Sequence, residues 1–115
     1  MNKFKELKIW QESIDLAVEI YKLTKPFPAE ERFGLVSQIN RSVISISSNI
    51  AEGAGRNNDK EFRHFLGIAL GSACELESQL VVSNKLCLIS EEELKQQTDK
   101  LNYIQNMINK LIKSL

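Results

Sequence analysis

An antiparallel, up-down-up-down four-helix bundle is the all-α fold this sequence predicts, and three observations carry the prediction. Four long segments place apolar residues three and four positions apart, the period of one helix face. Breaks bearing proline or glycine separate three of them, and every break is short enough to return the chain to an antiparallel neighbour. The 115 residues suit a single domain spanning 1–115. A domain of that size buries roughly two-thirds of its unfolded surface, enough for a core without staples. Apolar residues at 43% and charged residues at 26% mark a globular chain, and two prolines with five glycines leave little for a loop-rich β architecture.

The first segment, about 6–24, sets Leu7, Trp10, Ile14, Ala17 and Tyr21 on one face, and Pro26 ends it. Pro28 suits the first position of the second helix, about 28–52, with Glu30 and Glu31 at its positive end. Val36, Ile39, Val43, Ile46 and Ile50 form that helix's inner face. Residues 42–47 are β-branched and serine-rich and partly alternate as a strand would. An isolated strand has no partner here, so the expectation is a helix of low propensity held by packing, stopped by Gly53 and Gly55. Asn58 and Glu61 read as a capping box for the third helix, about 59–85, whose stripe is Phe62, Leu66, Ala69, Ala73, Leu76 and Leu80. Ser90 and Glu93 form the clearest box, with Ile89 and Leu94 as its hydrophobic staple. They open a fourth helix to about residue 115, lined by Leu94, Leu101, Ile104, Ile108, Leu111 and Leu115. Glu91 to Glu93 in its first turn, and Lys110 and Lys113 in its last, complement the helix dipole.

Fifteen basic residues balance fifteen acidic ones, which excludes a strongly basic arm or tail. No apolar run approaches the ~20 residues of a membrane span, and the N-terminus lacks a secretion signal's apolar core. A cytoplasmic protein without membrane contact is expected. Cys74 and Cys87 fit no Cys-x-x-Cys pattern, so a reduced pair is expected, with no disulfide, metal site or cofactor. Glu61 and His64 make one Glu-x-x-His element, which di-iron bundles use twice. Arg56 and His64 stand one residue outside the Arg-x(4–6)-His spacing of the HEPN helical ribonucleases. With no phosphate loop and no nucleophile–base set, the chain reads as a non-enzyme with no catalytic residues. A weak HEPN-like ribonuclease is the least favoured alternative.

Two surface features point instead to partners. Gly67, Gly71, Cys74 and Ser78 fall nearly opposite the third helix's core stripe, where each glycine costs about 1 kcal/mol relative to alanine. A close subunit contact would offset that cost, and Ile68 and Val82 extend the apolar character around it. The bundle topology also gathers Lys3, Lys5, Lys8, Arg56, Lys60, Arg63, Lys110 and Lys113 at one end against only Glu6, Glu52, Asp59 and Glu61. Arg56, Lys60, Arg63, Lys110 and Lys113 are the candidate phosphate contacts for RNA or DNA. Ser48, Asn49 and Glu52 on the second helix, with Glu75 and Gln79 on the third, are expected to form an inward polar cluster with a structural role.

Three stretches carry a family resemblance: Phe4-Lys5-Glu6-Leu7-Lys8-Ile9-Trp10-Gln11, then Ser48-Asn49-Ile50-Ala51-Glu52-Gly53-Ala54-Gly55-Arg56, then Phe62-Arg63-His64-Phe65-Leu66-Gly67-Ile68-Ala69-Leu70-Gly71-Ser72 followed by Glu75-Leu76-Glu77. In this order they resemble the bacterial four-helix bundles encoded in intervening sequences of 23S rRNA genes. The resemblance covers nearly the whole chain and implies a bundle that assembles as a homopentamer. It extends to the accessory variability determinant of diversity-generating retroelements, a basic pentamer that binds nucleic acid and a reverse transcriptase. This chain departs from the family pattern at Asn40, where a second arginine is frequent, and at Ser47, where proline is frequent. The expectation is therefore an oligomeric scaffold that binds RNA through a basic end, with a protein-interaction adaptor as the alternative.

Overall fold

The computed structural model describes residues 4–115, which form four helices and no strand. They are α1 (Lys8–Thr24), α2 (Leu35–Ala54), α3 (Asp59–Lys85) and α4 (Glu91–Ser114). Each helix packs on its sequence neighbour and α1 packs on α4, whereas the diagonal pairs bring no Cα atoms within 8 Å of each other among the described residues. That is the square of an up-down-up-down bundle, 43 Å long and 24 by 20 Å across. The turns at 25–34 and 86–90 share one end. The start of α1, the 55–58 turn and the end of α4 share the other, and Lys3 lies outside the described residues.

The inner faces of α2, α3 and α4 follow the apolar period. Ile39, Val43, Ile46 and Ile50 meet Leu66, Ala69, Ala73, Leu76 and Leu80, and Leu101, Ile104 and Ile108 complete the wall, all essentially without solvent. Each buried Leu or Ile contributes roughly 1.5–3 kcal/mol. The β-branched residues 42–47 are helical, because those apolar positions all fall on one side of α2. α4 opens with the full capping box: Glu93 N donates to Ser90 Oγ at 3.0 Å and Ser90 N to Glu93 Oε1 at 2.9 Å. At α3 only half a box forms. Glu61 N donates to Asn58 Oδ1 at 3.1 Å, while the Glu61 carboxylate faces Arg56.

Three expectations are corrected. The buried face of α1 is Ile9, Ser13, Leu16, Ala17, Ile20 and Thr24, about one residue's rotation from the predicted stripe; Trp10 and Ile14 are half-buried and Tyr21 is exposed. Ser13 Oγ donates to Ile9 O at 2.6 Å and Thr24 Oγ1 to Tyr21 O at 3.2 Å. With those donors satisfied inside the helix, both hydroxyls enter the core at little cost. Second, α2 begins at Leu35, because Pro28 opens only a 3₁₀ turn at Ala29–Glu31. Third, Gly53 does not stop α2 but lies buried in its last turn. A Cβ there would stand 2.7 Å from Phe65 Cβ and 3.0 Å from Phe62 Cδ1, so the two backbones approach as only glycine permits. The chain turns just beyond, where Asn57 takes a φ of 56°.

Candidate interaction surfaces

The basic end is less uniform than its sequence. Arg56 Nη2 lies 3.0 Å from Glu52 Oε2 and Nη1 lies 3.9 Å from Glu61 Oε1, while the guanidinium sits 5.1 Å from the Phe65 ring centre. It joins the end of α2 to the start of α3, and its charge is answered locally. Lys60, Arg63, Lys110 and Lys113 are exposed and in no ion pair among the described residues. With Lys5, also exposed and in no ion pair among the described residues, they are cations at this end free to meet phosphate, while Lys8 sits 5.9 Å from the Tyr103 ring centre. His64 is exposed and stacks edge-on against Phe65 at 5.2 Å.

On α3 the small-residue face points outward. A Cβ built on Gly67 or Gly71 meets nothing within 4 Å, so no element among the described residues explains either glycine. Cys74 and Ser78 are exposed beside them, and Cys74 and Cys87 are free thiols. Ile68, Val81, Val82 and Leu86 border this face with substantial exposure. By length and composition α3 also passes as a membrane span, yet its Phe62, Leu66, Leu76 and Leu80 stripe lies in the bundle core.

The five residues expected to form an inward polar cluster do not come together as one. Ser48 and Glu52 are exposed, because the Ile46–Ile50 stripe turns them away from the axis, and Glu75 is exposed as well. Asn49 is half-buried and donates from Nδ2 to Ser45 O at 2.8 Å and Ser45 Oγ at 2.9 Å. The polar link between α2 and α3 is the Ser45–Ser72 hydroxyl pair, 2.8 Å apart. Above it Gln38, Arg41, Ser42, Glu75 and Gln79 line a cleft of about 300 Å³, with Gln79 Oε1 buried and unpartnered.

A broad concavity escaped the sequence reading. It is a groove of about 850 Å³ between α1 and α2, floored by Ala17, Val18, Tyr21, Phe27, Val36 and Ile44. Lys22, Lys25 and Arg32 stand on its rim, and an adjoining recess of about 480 Å³ adds Phe33 and Arg41. No carboxylate among the described residues lines either hollow. Tyr21 was its one signal, an aromatic residue that the shifted α1 stripe placed in the core.

Helices in a square, with two apolar faces left uncovered and a band of free cations at one end, define an antiparallel bundle built around surfaces. The chain belongs to the 23S rRNA-intervening sequence protein family, whose model matches residues 5–110. It is similar to a solved protein of unknown function from the S23 ribosomal protein family of Bacteroides thetaiotaomicron, with 29% identity and a TM-score of 0.85. That match covers 91% of this chain and 95% of the other. No curated protein matches the chain.

Proposed function

We propose that the protein is a non-enzymatic, cytoplasmic scaffold that assembles with copies of itself and engages RNA through its basic end. The outward glycine face of α3 is the observation that carries the assembly half. Two glycines in the middle of a 27-residue helix, with open space in front of them, cost helix stability that nothing inside the chain returns. A homopentamer is the state the family resemblance implies. In a ring of parallel subunits, Lys60, Arg63, Lys110 and Lys113 repeat around one face, and repetition supplies the avidity that four cations on a neutral chain lack.

Fluorescence anisotropy with a structured rRNA hairpin and a scrambled duplex, across a salt series, tests the RNA half. Binding should fall linearly on a log–log salt plot and weaken on charge reversal at Lys60 and Arg63. Arg56→Glu should matter less, since that guanidinium already faces two carboxylates. Absence of binding at low salt would sink the RNA half. The apolar α1–α2 groove favours one second reading, an adaptor for proteins with no nucleic-acid role, in which reversing Arg63 leaves partner capture intact.

A further inference from the structure

Nine large hydrophobic side chains are exposed among the described residues, and eight of them fall on two faces. Val18, Tyr21, Phe33 and Ile44 lie on the α1–α2 groove and its recess, and Ile68, Val81, Val82 and Leu86 surround the glycines of α3. Tyr103 on α4 is the exception. The two faces differ in shape. One presents aromatic bulk, with Phe33 90% exposed; the other presents a shallow floor at Gly67 and Gly71.

We infer that these faces are the two halves of one head-to-tail contact, in which the α1–α2 groove of one copy receives the α3 glycine face of the next. The inference rests on the assembly proposed above and specifies its geometry. Height along the bundle agrees with it. At 1.5 Å per residue from the end holding the 55–58 turn, Tyr21 and Ile44 stand at about 20 and 15 Å, and Gly71 at about 18 Å. Phe33 comes just before Leu35, which stands at about 28 Å, and so lies toward the level of Val81 and Val82 at about 33–35 Å. Copies running the same way therefore set aromatic residues against glycine and valine.

Charge disfavours one alternative. A groove meeting a second groove would bring Lys22, Lys25, Arg32 and Arg41 of each copy together, with no carboxylate among the described residues in either lining. The α3 face is mixed in charge, and the exposed Lys85 lies beyond Val82. The exposed Glu75, which also lines the α2–α3 cleft with Arg41 of its own chain, stands at about the height of Lys22, so this face meets the basic groove with less repulsion. Because the two surfaces are different patches of one subunit, each copy keeps one unused half after pairing, and assembly proceeds to a ring or a chain.

Two surface variants test it by complementation. Val18→Asp with Phe33→Asp spoils the groove, and Gly71→Arg spoils the α3 face. Gly71→Arg meets no intrachain obstacle and removes a helix-interior glycine, so both proteins should keep the wild-type circular dichroism. By light scattering each variant alone should run at the 13.1 kDa monomer mass. Mixed in equal amounts they should form a heterodimer of twice that mass and nothing larger, since only one intact groove meets one intact α3 face. Tyr103→Ser should assemble like wild type. A single variant that still self-associates, or an oligomeric wild type whose mixed variants stay monomeric, overturns the pairing. A monomeric wild type overturns the assembly itself, a distinct result.

Discussion

The two sides of α2 solve the same packing problem in opposite ways. Toward α3, Ser42, Ser45 and Gly53 face Phe65, Ala69, Ser72 and Ala73, and the small side chains let the helices close until Gly53 has no room for a methyl group. Toward α1, Val36 and Ile44 line, with Val18 and Tyr21, an open groove of about 850 Å³. Large apolar residues thus give the weaker internal seam, because a helix pair spaced by bulky groups leaves their outer halves uncovered. Small residues seal a seam within the chain; bulky ones leave apolar area for another molecule to cover.

The sharpest way to break the closed seam is to empty it. Ile46 is fully buried against it, and Ile46→Ala should cost about 2–5 kcal/mol, read as a lower urea midpoint at unchanged m-value. Overfilling should cost nearly as much. Gly53→Val drives a branched side chain into Phe62 and Phe65 and should destabilise by about 1–3 kcal/mol, even though valine is the better helix former. On the open seam the same probes should be quiet. In the monomeric Gly71→Arg background, Phe33→Ser removes a side chain that touches mostly water, and should shift stability by less than about 0.5 kcal/mol. A large loss at Phe33 would mean the α1–α2 groove is internal structure, and the comparison would fail.

Polar contacts distinguish the seams on a smaller scale. Ser72→Ala strips the Ser45 hydroxyl of its partner across the closed seam and should cost about 1 kcal/mol. Adding Ser45→Ala should cost less than the sum, because removing both members leaves no orphan between the helices. That link was not legible in the sequence, where attention fell on Ser48, Glu52 and Glu75. The reason is geometric: polar residues one or two positions from an apolar stripe differ by 100° or 200° around the helix. The reading of α1 failed in the same manner. Two adjacent faces of α1 are both apolar enough, and the true one is interrupted by Ser13 and Thr24, whose self-satisfied hydroxyls leave no pattern. The inner faces of α2, α3 and α4 were legible because in each the most regular apolar run at helical spacing is the buried one, and α3 and α4 also open on capping residues. So was the glycine face of α3, since glycine opposite a core stripe needs no tertiary information to stand out. The groove opposite it depends on where residues 25–34 fold back, and the Pro28 reading placed a helix there.

The smallest expected effect concerns how α1 is held on its other side. Lys100 on α4 donates to both carboxylate oxygens of Glu19, and this hydrogen-bonded contact holds the Glu19 carboxyl below the ordinary glutamate range, against a desolvation that raises it. A depressed folded-state pKa stabilises the fold above the unfolded value and loses that contribution as pH falls through the folded one. Stability should therefore be flat from neutrality down to about pH 4.5, then decline below it. Both side chains are more than a third exposed, so solvent screening limits the contribution to a few tenths of a kcal/mol. Lys100→Met should shift the Glu19 titration, followed by carboxyl carbon NMR, upward toward the ordinary range while leaving the neutral-pH urea midpoint almost unmoved. An unchanged titration would mean that Gln97, the weaker hydrogen-bond donor to Glu19, holds the carboxylate instead. α1 would then lean on α4 through a buried amide, and because the carboxyl would still titrate low, the acid-side loss of stability would persist in Lys100→Met.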